Sequence, residues 1–250
     1  MKKPLPRRLL AKWGDAADIA LTIALPVSTQ LSRWTGAGKS EVERAREFEG
    51  AVSPPAATFA IWAPIFAGLT TQALIAATQG RSSSATSAAA LLRASLIGNL
   101  LWNLNAQFKD FGWQSVALIG ASAVSATASV ASYERTGKRE EASRTAAQLV
   151  GPLAGWLSVA TFANVETTQR FTKSASRSWL TPKVLVGAVV FAAAAGISAT
   201  RANAGYALAA GIGLGGIAVK NRREKPRVAL VAAAGLIALS ALVVAVRRRR

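Results

Sequence analysis

The sequence predicts an all-α integral membrane protein, with a five-helix core followed by about three additional hydrophobic helices. Of its 250 residues, 51% are hydrophobic, although the chain carries a net charge of +18. The basic residues lie between long apolar runs and do not line one face, which argues against a soluble nucleic-acid-binding domain. A bilayer core about 30 Å thick requires roughly 20 mostly apolar residues per helix, and the chain supplies up to eight such stretches.

The predicted core, residues 16–171, contains five segments that carry polar and aromatic residues within their apolar runs. The first, Ala16 to Trp34, is interrupted by polar residues and is expected to be stable only against neighbouring helices. The other four segments are Thr58 to Thr78, Ala88 to Phe108, Gly112 to Tyr133 and Ala142 to about Val165.

The predicted C-terminal extension, residues 182–246, is built almost wholly of Ala, Gly, Val, Ile and Leu. Its three segments are Val184 to Thr200, Gly205 to Lys220 and Val228 to Val246. Gly211 and Gly215 lie one helical turn apart, a pattern that permits close helix approach. A basic N-terminal segment, residues 1–15, precedes the core, and an Arg tail, residues 247–250, follows the extension. The basic segment resembles the positive end of a signal sequence, but no small-residue cleavage site follows the first apolar run, so this run is expected to be a retained first helix.

The distribution of Lys and Arg predicts that the N-terminus lies on the inner side of the membrane. In the core, the inner loops carry eleven basic residues and the outer loops carry five. The extension conflicts with this topology, because the basic loop from Lys220 to Arg227 would lie outside if every segment spans. Either one of the last segments does not cross, or helix packing overrules the local charge.

The residue inventory excludes most common catalytic and metal chemistries. The chain has no Cys and no His, and its single Met is the initiator. Disulfides, thiol nucleophiles, zinc ligation and His-based triads are therefore excluded. No nucleophile has a visible base, so we expect no catalytic residue and no metal site, and an enzyme is the less favoured class. Glu166 is interpreted as an interfacial charge near Arg170, and Arg93 is expected to reach water.

Three core segments carry aromatic and polar residues at helical spacing, so each helix presents a functional or packing stripe. Two interpretations remain open from spacing alone: an aromatic ligand pocket with hydrogen-bonding groups, or packed helix interfaces. Trp residues near segment ends are interpreted as membrane-interface anchors. The loop from Thr35 to Pro55 is either a short surface helix or a solvated charged linker. The stripe residues are Phe59, Trp62, Phe66, Asn99, Trp102, Asn103, Ala106, Pro152, Trp156, Ala160 and Asn164, and the anchors are Trp13, Trp34, Trp113 and Trp179.

Three motifs resemble the TspO/MBR family, the tryptophan-rich sensory or translocator proteins. The fifth segment has Pro152, Trp156, Ala160 and Asn164 at four-residue steps, which is similar to that family's fifth-helix signature. Asn99-Leu100-Leu101-Trp102 resembles its third-helix Asn-x-x-Trp step. Ser53-Pro54-Pro55 before Phe59 and Trp62 resembles its Pro-Pro step into the second helix.

The sequence also departs from the family pattern. Ala57 stands where the family usually has a Trp, Leu153 where it has a Tyr, and Asn103 where it has a Ser. Trp62 falls one residue earlier than the Trp that the family usually has in its second helix. The three terminal segments have no counterpart in the five-helix members. The chain therefore resembles the divergent, longer relatives.

The resemblance implies a five-helix bundle whose pocket binds tetrapyrroles such as protoporphyrin or haem, or other hydrophobic aromatic ligands. No cofactor is required; porphyrin or haem is expected as a ligand. Without His, Cys or an internal Met, an axial side-chain ligand to haem iron could come only from Tyr133, from Tyr206, or from a carboxylate or amide, which favours metal-free porphyrin or binding without an axial ligand. The expected partners are the lipid bilayer, a hydrophobic small molecule and a second copy in a homodimer, with no nucleic acid. The implied ligand-binding residues are Phe59, Trp62, Asn99, Trp102, Asn103, Pro152, Trp156, Ala160 and Asn164.

Three functional hypotheses follow for this multi-pass protein of the cell membrane or an organelle membrane. The first is binding, transport or sensing of tetrapyrrole-like ligands. The second is a porphyrin-degrading membrane catalyst, which requires ligand turnover. The third is a structural membrane protein whose basic loops and Arg tail engage anionic lipid or an acidic partner.

Overall fold

The computed structural model describes residues 7–40, 43, 47, 50–79, 86–109, 111–137, 140–172 and 179–249. All regular elements in these ranges are helical. A 3-10 helix, Ala56–Ile61, runs directly into the third α-helix. The α-helices are α1 (Arg7–Ser28), α2 (Leu31–Thr35), α3 (Trp62–Gln79), α4 (Thr86–Phe108), α5 (Trp113–Thr136), α6 (Glu141–Phe171), α7 (Pro182–Ala199), α8 (Ala204–Asn221) and α9 (Pro226–Arg248).

Each of the eight predicted apolar segments forms a helix, with shifts at several ends. Helix α1 begins at Arg7, inside the predicted basic segment, and the first apolar run continues after a break at Thr29 as the short helix α2. At the other end of the chain, α9 continues into the Arg tail as far as Arg248. The surface helix considered between Thr35 and Pro55 falls mostly outside the described residues.

Five helical stretches in the described ranges are long and apolar enough to cross a membrane on their own. Helices α1, α4 and α8 are not among them. Such helices are stable at membrane depth when protein neighbours satisfy their polar groups. The five stretches are Ala56–Thr78, Trp113–Thr136, Glu141–Phe171, Pro182–Ala199 and Pro226–Arg248.

Helix α6 occupies the centre of the bundle and contacts α3, α5, α7 and α8. Leu153, Ala154 and Leu157 on this helix are completely buried. Gly155 lets α8 approach closely, since a Cβ atom there would lie 2.2 Å from the carbonyl oxygen of Tyr206. The C-terminal extension therefore packs directly on the helix that carries most of the predicted site.

The three helices of the extension alternate in direction. Lys220 at the end of α8 donates hydrogen bonds to Gly50 and Ser53 in the first loop, and Arg247 of α9 donates to the carbonyl of Ala202. The basic loop after Lys220 therefore lies at the same end of the bundle as the first loop. The contacts thus place the two loops on the same side, and both alternatives for the last segments stay open.

Close packing of α8 uses a different face from the one that its glycine spacing suggested. A Cβ atom on Gly211 or Gly215 would meet Leu236 of α9 at ordinary contact distances of 3.4 and 4.0 Å. In contrast, a Cβ atom on Gly213 would lie 2.9 Å from the side chain of Val159. The tight contact of α8 is thus with α6.

Buried polar groups join the extension to the core. The Asn203 amide donates to the Glu134 carboxylate over 2.9 Å and to the Ala147 carbonyl over 3.1 Å. The Tyr206 hydroxyl and the Ser158 hydroxyl share a hydrogen bond of 2.8 Å. Because unsatisfied polar groups at membrane depth are costly, these pairings define how α8 sits against α5 and α6.

Candidate functional site

The stripes predicted on the third and fifth core segments, which form helices α4 and α6, meet through a hydrogen bond. The Trp102 indole nitrogen on α4 donates to the Asn164 side-chain oxygen on α6 over 3.0 Å. The Asn164 amide nitrogen donates in turn to the carbonyl of Ala160 over 3.1 Å. Both Trp102 and Asn164 are buried. This pair therefore joins the two helices inside the bundle.

The stripe predicted on the second core segment contacts Trp156 of α6. The Phe59 ring, on the 3-10 helix, contacts the Trp156 ring edge to face, with 5.7 Å between centroids. Trp156 is only 2% exposed. Here the term aromatic cluster denotes Phe59, Trp62, Trp102 and Trp156, which belong to or pack against the same hydrophobic core. Edge-to-face packing is a favourable arrangement of two aromatic rings.

Trp62 carries an unsatisfied donor. Its ring stacks on Phe66 at a centroid distance of 5.3 Å and an interplanar angle of 20°. Its indole nitrogen is buried and has no hydrogen-bond partner among the described residues. A buried unmade hydrogen bond costs about 1–3 kcal/mol, so this N–H is a natural donor for an acceptor atom on a ligand.

Two further stripe residues are buried on α4, but Asn103 is engaged elsewhere. The Asn103 amide donates to the Ser28 hydroxyl over 2.8 Å, and its side-chain oxygen accepts from Gln107 over 2.8 Å. These bonds attach α4 to the end of α1. Asn99 lies one turn before Asn103 and is 2% exposed. Sequence reasoning did not single out Ser28 or Gln107, which complete this interhelical network.

Pro152 and Ala160 lie on the same helix as Trp156 in different surroundings. Pro152 lies next to α8, since a Cβ atom on Gly205 would be 2.6 Å from the proline Cδ. Ala160 is half-buried beside the core, and its carbonyl accepts the Asn164 bond. The structure thus brings together Phe59 with Trp156 and Trp102 with Asn164, and sets Pro152 at the boundary with the extension.

The residue interpreted as an interfacial charge is a buried structural acceptor. Glu166 is 3% exposed, and its carboxylate accepts hydrogen bonds from the backbone of Ala51 over 2.9 Å and Val52 over 2.6 Å. Arg170 pairs with the same carboxylate over 3.3 Å. Arg93, which was expected to reach water, is partly exposed. Its guanidinium also pairs with the buried carboxylate of Asp18.

The end tryptophans have the exposure expected of anchors. Trp34, Trp113 and Trp179 are 66%, 54% and 77% exposed. Each lies at or near the end of a helix, where an indole can reach the headgroup region. The side chain of Trp13 lies outside the described part of the chain.

Three cavities have linings that exclude every residue of the aromatic cluster. The largest, about 550 Å³, lies between α5, α6 and α7, and the others are about 380 Å³ beside α4 and α5 and about 230 Å³ within the extension. Tyr206 lines the largest cavity, and the hydroxyl of Tyr133 accepts from Gln72 over 3.4 Å. Both phenols thus have hydrogen-bond partners outside the cluster.

The described residues contain no group of three or more acidic side chains that could hold a metal ion.

Comparison with known proteins assigns the family. No curated protein and no solved structure matches the chain. The TSPO-like protein family matches residues 13–246, which include both the core and the extension. Together with the five apolar helices, this match identifies a multi-pass membrane protein. The chain belongs to the TSPO-like protein family.

Proposed function

We propose that the protein binds a tetrapyrrole-like, planar aromatic ligand at the aromatic cluster and acts in its transport or sensing within the membrane. The observation that carries this proposal is the buried indole N–H of Trp62, which lacks an acceptor among the described residues. A ligand with a carbonyl or carboxylate oxygen would satisfy this donor. Porphyrins combine such oxygens with a flat apolar ring system that stacks on indoles.

The cluster supplies the other features that such a ligand needs. Trp156 and Trp102 are buried aromatic surfaces within the bundle, and Phe59 covers Trp156 edge to face. A planar ligand that displaced the Phe59 edge would exchange one aromatic contact for a larger stacked one. Because Phe59 covers the buried Trp156, a ligand that stacks on Trp156 must move the 3-10 helix that carries Phe59.

Titration with protoporphyrin IX tests the proposal. Detergent-purified protein is followed by quenching of Trp fluorescence and, independently, by the shift of porphyrin absorbance. We expect saturable binding that Trp156→Phe, Trp102→Phe and Asn99→Ala weaken. Trp113→Phe is the matched control, because Trp113 is 54% exposed at the start of α5 and should leave the affinity unchanged.

Two results would overturn the proposal. One is the absence of saturable binding to the unmodified protein. The other is binding that Trp156→Phe, Trp102→Phe and Asn99→Ala all leave at its original affinity, which would place the porphyrin at another surface such as the cavity between α5, α6 and α7.

A further inference from the structure

A short segment of the first loop leads directly into the aromatic cluster. Gly50–Ser53, here called the mouth segment, precedes Pro54 and Pro55 and the 3-10 helix that places Phe59 on Trp156. Ala51 and Val52 in this segment are 1% and 0% exposed. Only five residues, 54–58, separate the mouth segment from Phe59 along the chain.

Side chains from two distant helices hold the mouth segment by its backbone. From α6, Glu166 accepts from the amides of Ala51 and Val52. From α8, Lys220 donates to the carbonyl of Gly50 over 2.9 Å and to that of Ser53 over 3.1 Å. Asn221 donates to the carbonyl of Ala51 over 2.8 Å.

Helix α8 also lies against the next part of the path to the cluster. A Cβ atom on Gly216 would lie 2.8 Å from the Thr58 methyl group and 3.0 Å from the ring of Pro55. The absence of a side chain at Gly216 lets α8 pack on both. The extension therefore contacts the mouth segment, the Pro-Pro step and the 3-10 helix in succession.

We infer that Lys220 and Asn221 are positioning residues that hold the mouth segment closed over the aromatic cluster and so set the rate at which a ligand enters and leaves. This inference rests on the proposed function for the identity of the ligand. Trp156 is buried beneath the partly buried Phe59, so a planar ligand that stacks on Trp156 must displace Phe59, which follows the mouth segment along the chain. Through Lys220 and Asn221 the C-terminal extension would thus act as a latch, meaning here the set of contacts that keeps the mouth segment closed.

Hydrogen exchange in the ligand-free protein tests the latch without any ligand. In Lys220→Met and, independently, Asn221→Ala, the amides of Ala51 and Val52 should exchange about tenfold faster, because releasing the carbonyls lets the segment open more often. Lys225→Met is the matched control, since Lys225 is an exposed lysine just after the end of α8 and takes no part in the contacts described above. Lys220→Arg, which keeps a long cationic donor, should restore most of the protection.

Stopped-flow mixing with protoporphyrin IX tests the consequence for access. Both variants should raise the association and the dissociation rate constants together, by several-fold, while the dissociation constant changes much less. A purely structural loss of the pocket would instead lower the affinity and leave association unaccelerated. This difference separates positioning from general destabilisation.

The outcomes separate the two proposals. Unchanged exchange at Ala51 and Val52 in both variants overturns the latch. Faster exchange without faster association overturns its control of access. If the unmodified protein fails to bind protoporphyrin while exchange accelerates as expected, the proposed ligand is wrong and the closed mouth segment is supported.

Discussion

Trp102 on α4 donates its indole N–H to the side-chain oxygen of Asn164 on α6 over 3.0 Å, which links two helices inside the bundle. Both residues belong to motifs that first suggested the family. Their pairing shows that a polar residue in an apolar helix can serve the packing of two helices. The free energy of coupling between the two side chains can therefore be measured.

Asn164→Leu should destabilise the protein by about 1–3 kcal/mol, because the buried indole N–H of Trp102 loses its acceptor. The measurement is the free energy of unfolding in detergent, followed by far-ultraviolet circular dichroism. In a Trp102→Phe background the same substitution should cost clearly less, because no donor is left without a partner. Equal costs in the two backgrounds would show that the hydrogen bond carries no coupling energy.

The positions of the helices could be predicted from the sequence, because apolar runs of sufficient length allow few other structures in a membrane. The faces on which they pack were harder to predict. Gly211 and Gly215 suggested a close contact of α8, yet the tight approach is made at Gly213 against Val159. All of these glycines share one helix, and only the tertiary arrangement selects the face that meets α6.

The candidate site was predictable to a similar extent. The spacing of Trp102 and Asn164 on two helices allowed them to meet, and they do. The role of Glu166 was not predictable, because its partners Ala51 and Val52 lie more than a hundred residues away and contribute only backbone amides. The role of Lys220 was not predictable either, because a lysine at the end of an apolar helix is ordinarily a solvent-exposed charge.

Gly155→Ala should destabilise the protein by about 1–3 kcal/mol, because the added methyl group would lie too close to the Tyr206 carbonyl and push α8 away from α6. Thermal unfolding in detergent gives the measurement. Gly187→Ala is the control, because a Cβ atom at this position in α7 meets nothing within 4 Å. That substitution should be neutral or slightly stabilising, since Ala favours a helix over Gly. Similar losses at both glycines would contradict the close approach at Gly155.

Asp18→Asn should cost roughly 2 kcal/mol, because a charge-assisted hydrogen bond from the partly buried Arg93 guanidinium is weakened. The exposed pair of Lys39 and Glu47 provides the control. Glu47→Gln should change the free energy of unfolding by less than about 0.5 kcal/mol, as is usual for exposed pairs. Equal effects at the two carboxylates would mean that burial of Asp18 contributes nothing to its pairing.

Trp62→Phe tests whether the buried indole N–H of Trp62 binds a ligand at the aromatic cluster. This change keeps an aromatic ring and removes only the indole N–H and part of the ring surface. We expect protoporphyrin binding to weaken by about tenfold, as for the loss of one hydrogen bond, while the ligand-free protein keeps or gains stability because a buried unsatisfied donor is gone. An unchanged dissociation constant, measured together with a stability loss, would contradict this expectation and assign Trp62 to packing alone.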